Sequence, residues 1–179
     1  EEYASKYPWI KVIQRPDRGE RVLGSGVMEA FYSGLEAINL SDFDFVCKLD
    51  LDLSLPPLYF SALMDKMEAD PRLGACSGKP YFVQDQDGRV ISEKCGDEHA
   101  VGMTKFYRTS CYQQIGGFVK ELMWDGIDTH RCRMLGWKAV SFNDPEFVIL
   151  HLRPMGSSFK SIYHGRLRWG RGQYFMGTH

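Results

Sequence analysis

Asp50 and Asp52 follow the apolar run F-D-F-V-C-K-L over residues 43–49, in the order K-L-D-L-D. On an extended chain, side chains at i and i+2 share a face, about 6.6 Å apart along the strand. Open α/β sheets bind their ligands at strand C-termini. Two carboxylates there repel unless a cation joins them, and a divalent metal bridging a diphosphate would do so. A pair of solvated loop aspartates is the competing reading, and a position directly after a buried strand leaves the two evenly matched. An EF-hand beginning at Asp50 would need Gly where Leu55 stands and Glu where Ser61 stands, so that calcium loop is excluded. Gly24-Ser25-Gly26 is not a dinucleotide fingerprint, since a third Gly would be needed at Glu29.

The elements that must position these carboxylates alternate between two periods. Ile10 to Gln14 reads as a short strand closed by Pro16, Asp17 and Gly19, and Val27 to Leu40 as a helix. Phe43 to Leu49 is a strand, and Pro56-Pro57 opens a helix that Asp70-Pro71 stops. Leu73 to Ser77 reads as a buried strand, while Tyr81–Val83 and Val90–Ile91 flank Asp87-Gly88 as a hairpin. Met103 to Tyr107 is strand-like, and a short helix after it stops at Gly116-Gly117. Asp128 to Leu135 is helical with Gly136 past its end, and Trp137 to Phe142 is again a strand. This alternation predicts a single α/β domain with a mostly parallel central sheet flanked by helices.

The 179 residues have an ordinary globular composition, 44% hydrophobic and 25% charged. No run of 18 apolar residues is present, so nothing reads as a membrane span. The net charge of −1 argues against bulk binding of nucleic acid. The charge is uneven. Residues 151–179 carry Arg153, Lys160, Arg166, Arg168 and Arg171 and no acid, leaving 17 basic against 23 acidic groups in residues 1–150. Such a tail suits either phosphate binding or plain solvation. Five scattered cysteines without a CxxC pair suggest neither a zinc site nor a disulfide framework, and fit reduced thiols in the cytosol.

A second stretch makes the pattern specific: G-M-T-K-F-Y-R from Gly102, then I-G-G-F, then W-D-G-I-D-T-H-R-C-R-M-L-G-W-K. With K-L-D-L-D, it resembles the inverting family 2 glycosyltransferases of the glycosyltransferase A fold. The likeness runs over residues 8–142 and includes Arg131 and Gly136 in the R-x-x-x-x-G spacing. It implies a catalytic domain over 1–150, with 151–179 as a basic loop and amphipathic tail of the same domain. Asp50 and Asp52 would hold a nucleotide-sugar donor and its Mn²⁺ or Mg²⁺, Asp52 being the more direct ligand. The family's acidic pair falls on Trp124-Asp125, so Asp125 would be the general base and Asp128, one turn on, could share that role. Plain helix N-terminal capping is the alternative, which either aspartate could satisfy and which would be preferred without the D-x-D upstream. A late histidine completes the metal site in related folds, which makes His151 a candidate third ligand; a structural strand-end histidine is the plainer reading.

Gly165-Arg166-Leu167-Arg168-Trp169 resembles the Q-x-x-R-W motif of processive family members, with Gly in place of Gln. Arg166 and Arg168 would then approach the diphosphate, with Trp169 and Trp124 on the acceptor side. A basic amphipathic helix lying on a lipid surface fits the same residues. Gly156-Ser157-Ser158 could be a loop closing over the diphosphate. The implied function is metal-dependent sugar transfer with inversion to a saccharide or lipid-linked saccharide, in polysaccharide or glycolipid synthesis. The implied place is the cytoplasm, at the inner face of the cell membrane.

Two other classes stay open. A haloacid-dehalogenase-like phosphatase also begins with a strand and D-x-D, using Asp50 as nucleophile and Asp52 as acid. A non-catalytic sugar- or lipid-binding module would use Trp169 and the basic tail. Family members also open with base- and ribose-binding strands, and Glu1–Ile13 resembles the helix and strand that come after them. A parallel strand at Ile10–Gln14 needs neighbours, so the expectation is that natural sequence precedes Glu1.

Overall fold

A computed structural model describes residues 1–17, 25–84 and 87–153, together with Gly19, Gly170, Gln173, Tyr174 and Gly177. The chain begins with helix α1 (Glu2–Lys6), followed along the sequence by α2 (Ser25–Leu35) and a 3₁₀ turn at Leu40–Asp42. Strands β1 (Phe45–Leu49) and β2 (Leu53–Ser54) precede α3 (Tyr59–Ala69), and the long β3 (Leu73–Val83) is followed by β4 (Val90–Ser92). Next come β5 (Thr104–Arg108), α4 (Thr109–Gln114), α5 (Trp124–Met134), β6 (Lys138–Phe142), a 3₁₀ turn at Pro145–Phe147, and β7 (Val148–His151). Among the described residues, no helix is long and apolar enough to cross a membrane.

The sheet runs β1-β5-β3-β7-β2, with β4 and β6 also paired to β3. It is mixed rather than mostly parallel. Among the described residues only the β3–β6 and β3–β7 pairs are parallel; β5 enters antiparallel between β1 and β3, β4 returns as a hairpin arm, and β2 runs against β7. The expected alternation failed here because β5 reaches its place through a loop after β4, without a crossover helix, and only a crossover enforces parallel pairing. The expected strand at Ile10–Gln14 does not form: these residues have no regular secondary structure and pair with no strand among the described residues. The two pieces foreseen at Leu73–Ser77 and Tyr81–Val83 are one strand, since Lys79 and Pro80 continue it. Helix α5 begins at Trp124, earlier than the expected Asp128, while α2 ends at Leu35, short of Leu40.

Alternation along the strands separates two apolar cores. Ala75 and Tyr107 face α2, α4 and α5, where Met28, Tyr112, Phe118 and Trp124 join them. Cys76 and Phe106 face the opposite side, with Tyr59, Leu63 and Met67 of α3 and with Phe147 and Ile149. The sheet is therefore buried on both faces. Gly78 lets the last turn before β7 lie against β3, since a Cβ there would come within 1.8 Å of the Phe147 carbonyl oxygen. That contact fixes where β7 runs, and so where His151 ends up.

Candidate functional site

Register brings the D-x-D segment to its neighbours. Leu49 at the end of β1 pairs with Thr104 at the start of β5, and the Asp50 amide donates to the Met103 carbonyl at 2.8 Å. Leu53 pairs with His151, and the Leu152 amide donates to the Asp52 carbonyl at 2.9 Å. One strand end thus touches two others that lie far along the chain.

The helix carrying Asp125 is held by the motif glycines. Gly116 and Gly117 take positive φ of 75° and 71°, turning the chain so that Phe118 meets the Trp124 ring edge-on at 4.8 Å. Arg131 donates to the Ile115 carbonyl at 3.2 Å, tying α5 to the end of α4. Trp124 and Asp125 then lie on Gly102, where a Cβ would sit 3.0 Å from Asp125 Oδ2 and 3.2 Å from Trp124 Cζ2.

The result is a cavity of about 430 Å³ whose lining includes Lys48, Asp50, Lys94, Cys95, His99, Gly102, Met123, Trp124, Asp125 and His151. Lys94 and Met123, with φ of 42° and 62°, are the two described non-glycine residues in the left-handed region, and both line it. Backbone strain of this kind concentrates at functional sites. Met123 immediately precedes α5 and sets the direction in which Trp124 and Asp125 leave the loop.

Four of the expected residues, Asp50, Trp124, Asp125 and His151, meet in this cavity. Asp50 is bound at 2.5 Å by Lys48, whose own side chain is buried. Asp52 is not in the lining but stands beside His151, its Oδ2 3.7 Å from Nε2 and accepting hydrogen bonds from Arg153 Nε at 3.1 Å and Nη2 at 2.6 Å. Partial burial pushes the Asp52 carboxyl up, but Arg153's hydrogen bond, a backbone hydrogen bond and the His151 and Arg153 charges outweigh it, holding Asp52 below its ordinary range. Trp124 is packed rather than presented: the ammonium groups of Lys48 and Lys105 lie 5.4 and 5.5 Å from its ring centre, and it is 9% exposed.

Asp128 lies elsewhere. It is 1% exposed, with Lys105 Nζ at 2.5 Å from Oδ1 and the Tyr107 hydroxyl donating to Oδ2. Burial pushes its carboxyl up while Lys105 and Tyr107 oppose the rise. With both oxygens engaged inside the core, Asp128 has no path to a ligand. Arg166, Arg168 and Trp169, like the Gly156–Ser158 loop, lie outside the described residues.

A divalent metal can be tested against the donors present. The Glu93 carboxylate lies 3.0 Å from His151 Nδ1, the arrangement that fixes a ligating imidazole and turns the other nitrogen outward. The 3.7 Å between His151 Nε2 and Asp52 Oδ2 is a span that two bonds of about 2.0–2.2 Å can bridge. The pair fits a metal as a partial set; among the described residues no group of three or more His, Cys, Asp or Glu converges as a metal site.

Several site residues were not foreseen. The sequence signals Lys48, which shares a strand face with Asp50. Arg153 is marked only as part of the basic tail, and Glu93 and His99 carry no signal, because strand pairing and the loop after β4 bring them in.

The fold has a counterpart among solved structures. It is similar to that of a mannosyltransferase, PcManGT from Pyrobaculum calidifontis, in complex with GDP-Man and Mn²⁺: TM-score 0.57, 16% sequence identity, covering 98% of this chain. The chain spans 48% of that protein's length. No protein-family model and no curated protein sequence matches the chain.

Proposed function

We propose that this chain belongs to a metal-dependent, inverting glycosyltransferase of family 2 and glycosyltransferase A type, acting on a nucleotide-diphosphate sugar. The observation that carries the reading is the meeting of Asp50, Asp125 and His151 in one cavity, in a fold shared with a mannosyltransferase. Asp125 is the one acid of its helix with a carboxylate at the cavity, and it accepts no hydrogen bond from the described residues. It takes the proton from an acceptor hydroxyl, whose oxygen attacks the anomeric carbon. The bond from that carbon to the diphosphate breaks on the opposite face, and the nucleoside diphosphate leaves with the electron pair. One displacement inverts the configuration.

Asp52 and His151 are the residues that would hold Mn²⁺ or Mg²⁺, with Asp50 beside them. A bound divalent ion supplies neutralisation of charge on the departing diphosphate. Lys48 holds Asp50 in place, and Arg153, largely exposed and already paired with Asp52, can turn its guanidinium to a phosphate oxygen. The acceptor is a saccharide or lipid-linked saccharide. The reading extends to Arg166, Arg168 and Trp169 as diphosphate and acceptor contacts, and to action at the cytoplasmic face of the cell membrane.

Thermal shift with GDP-mannose, in the presence and absence of Mn²⁺, tests the donor half. A rise that needs the metal and disappears in Asp52→Asn is expected. No rise with GDP-, UDP- or dTDP-sugars overturns the reading.

A further inference from the structure

Asp125 is not the cavity's one hydrogen-bonding group without a protein partner. His99 lines the same wall, on the loop between β4 and β5, and its ring is tied at one end. Its Nδ1 lies 3.3 Å from Thr129 Oγ1. That hydroxyl sits in a chain whose direction can be worked out. Lys105 Nζ donates to Thr129 Oγ1 at 3.3 Å, and Lys105 has no acceptor to offer. The single Thr129 proton is assigned to the Asp125 carbonyl at 3.1 Å, the shorter of the hydroxyl's two acceptor contacts. Only a lone pair of Oγ1 then remains for His99, so Nδ1 must carry the ring proton and donate it.

Nε2 is consequently the bare nitrogen. It makes no hydrogen bond with the described residues, and it is not among the buried polar atoms that lack a partner, so it opens onto accessible space. Burial first, then the Lys105 charge, holds the imidazole down at about 4, which keeps the ring neutral at physiological pH. A neutral imidazole with its donor nitrogen anchored in the protein presents a single acceptor to the cavity. Its anchor is the same Thr129 that holds the Asp125 backbone carbonyl, so the imidazole and the Asp125 main chain are tied to one residue.

We propose that His99 is a saccharide-binding residue of this cavity, whose Nε2 accepts a hydrogen bond from a second hydroxyl of the sugar that Asp125 deprotonates. The assignment rests on the glycosyltransferase reading for the role of Asp125, but not for the tautomer or the open acceptor. Two acceptors on one wall select a ligand with two neighbouring hydroxyls, which is what a pyranose ring offers and a simple alcohol does not. Removing one of them costs the strength of one hydrogen bond to the ligand, up to about tenfold in affinity.

Nitrogen-15 spectra of the histidine rings in the full chain, assigned with His99→Gln, read both halves of the proposal. The expected result is a protonated Nδ1 and a bare Nε2 whose resonance moves upfield, saturably, with methyl α-mannoside, glucoside or galactoside. A protonated Nε2, or a resonance unmoved by all three glycosides, overturns it. Thermal shift with GDP-mannose and Mn²⁺, run alongside, separates the two readings. A glycoside response without a nucleotide-sugar response leaves His99 in a saccharide site and removes the donor reading; the reverse pattern removes His99 alone. In transfer assays His99→Gln raises the acceptor KM by up to about tenfold and leaves the donor KM unchanged. An equal rise in both marks a merely structural residue and overturns the proposal.

Discussion

Asp125 and Asp128 stand one turn apart on α5, and the protein treats them oppositely. Asp128 points into the core, where Lys105 and Tyr107 neutralise and hold it. Asp125 points across Gly102 into a cavity, and its backbone carbonyl, not its carboxylate, takes the Lys105 and Thr129 bonds. One acid stabilises the platform on which the other is displayed. A buried, ion-paired acid and one that lines a cavity can therefore share residue type and helix, and differ only in the direction their side chains leave it.

The comparison can be broken most forcefully at the buried pair. Asp128→Ala strands the Lys105 ammonium in the core and is expected to lose about 3–5 kcal/mol of stability in urea titrations. Joining it with Lys105→Met removes the stranded charge, so the double variant should be more stable than Asp128→Ala alone. An Asp128→Ala protein as stable as the parent would show that the pair is not structural.

Asp125→Asn should do the reverse. Stability stays within about 0.5 kcal/mol of the parent, as for a side chain outside the core, while sugar transfer falls about 10²–10⁴-fold. Transfer at the unmutated rate would remove Asp125 as the base and dissolve the contrast with Asp128.

His99 supplies a pH test of the same wall. Its folded value of about 4 lies below the 6.5 of a free imidazole, so between these values the unfolded chain binds the extra proton. Stability is therefore full above 6.5 and is lost as the pH falls towards about 4, by about 1–3 kcal/mol. Urea midpoints followed down this range should fall in the parent and fall less in His99→Gln.

The smallest effect sharpens the geometry. Gly102→Ala places a methyl group 3.0 Å from Asp125 Oδ2 and 3.2 Å from the packed Trp124 ring, so the acid is the group that must move aside. Little change in melting is expected, with transfer reduced about tenfold because a misplaced base no longer meets the hydroxyl. An unchanged rate would mean that Asp125 does not need this seat.

Much of the frame could be read in the residues. The β1 strand and its D-x-D end, the β3–β4 hairpin around Asp87-Gly88, and the helix stops at Gly116-Gly117 and Gly136 all appear where local signals put them. These depend on period and on turn chemistry, which act over a few residues. The direction of β5 was not legible, because nothing local in T-K-F-Y-R distinguishes a parallel from an antiparallel neighbour. Neither was the fate of Lys105: in a strand buried on both faces, only the position of α5 shows that its charge has a partner.

The sequence alone therefore determined which residues could do chemistry and the elements that carry them: a paired carboxylate after a strand, an acid-rich helix start, a histidine at the end of an apolar run. Tertiary structure decided which of them meet. The Leu53–His151 pairing put His151 beside Asp52, the Gly102 seat put Asp125 at the cavity, and the Lys105–Tyr107 face of β5 took Asp128 away from it. The reason is physical. Residue type and period are properties of neighbours along the chain, whereas the ionisation and reach of a carboxylate depend on the charges and space around it, which strand pairing and packing bring from far along the chain.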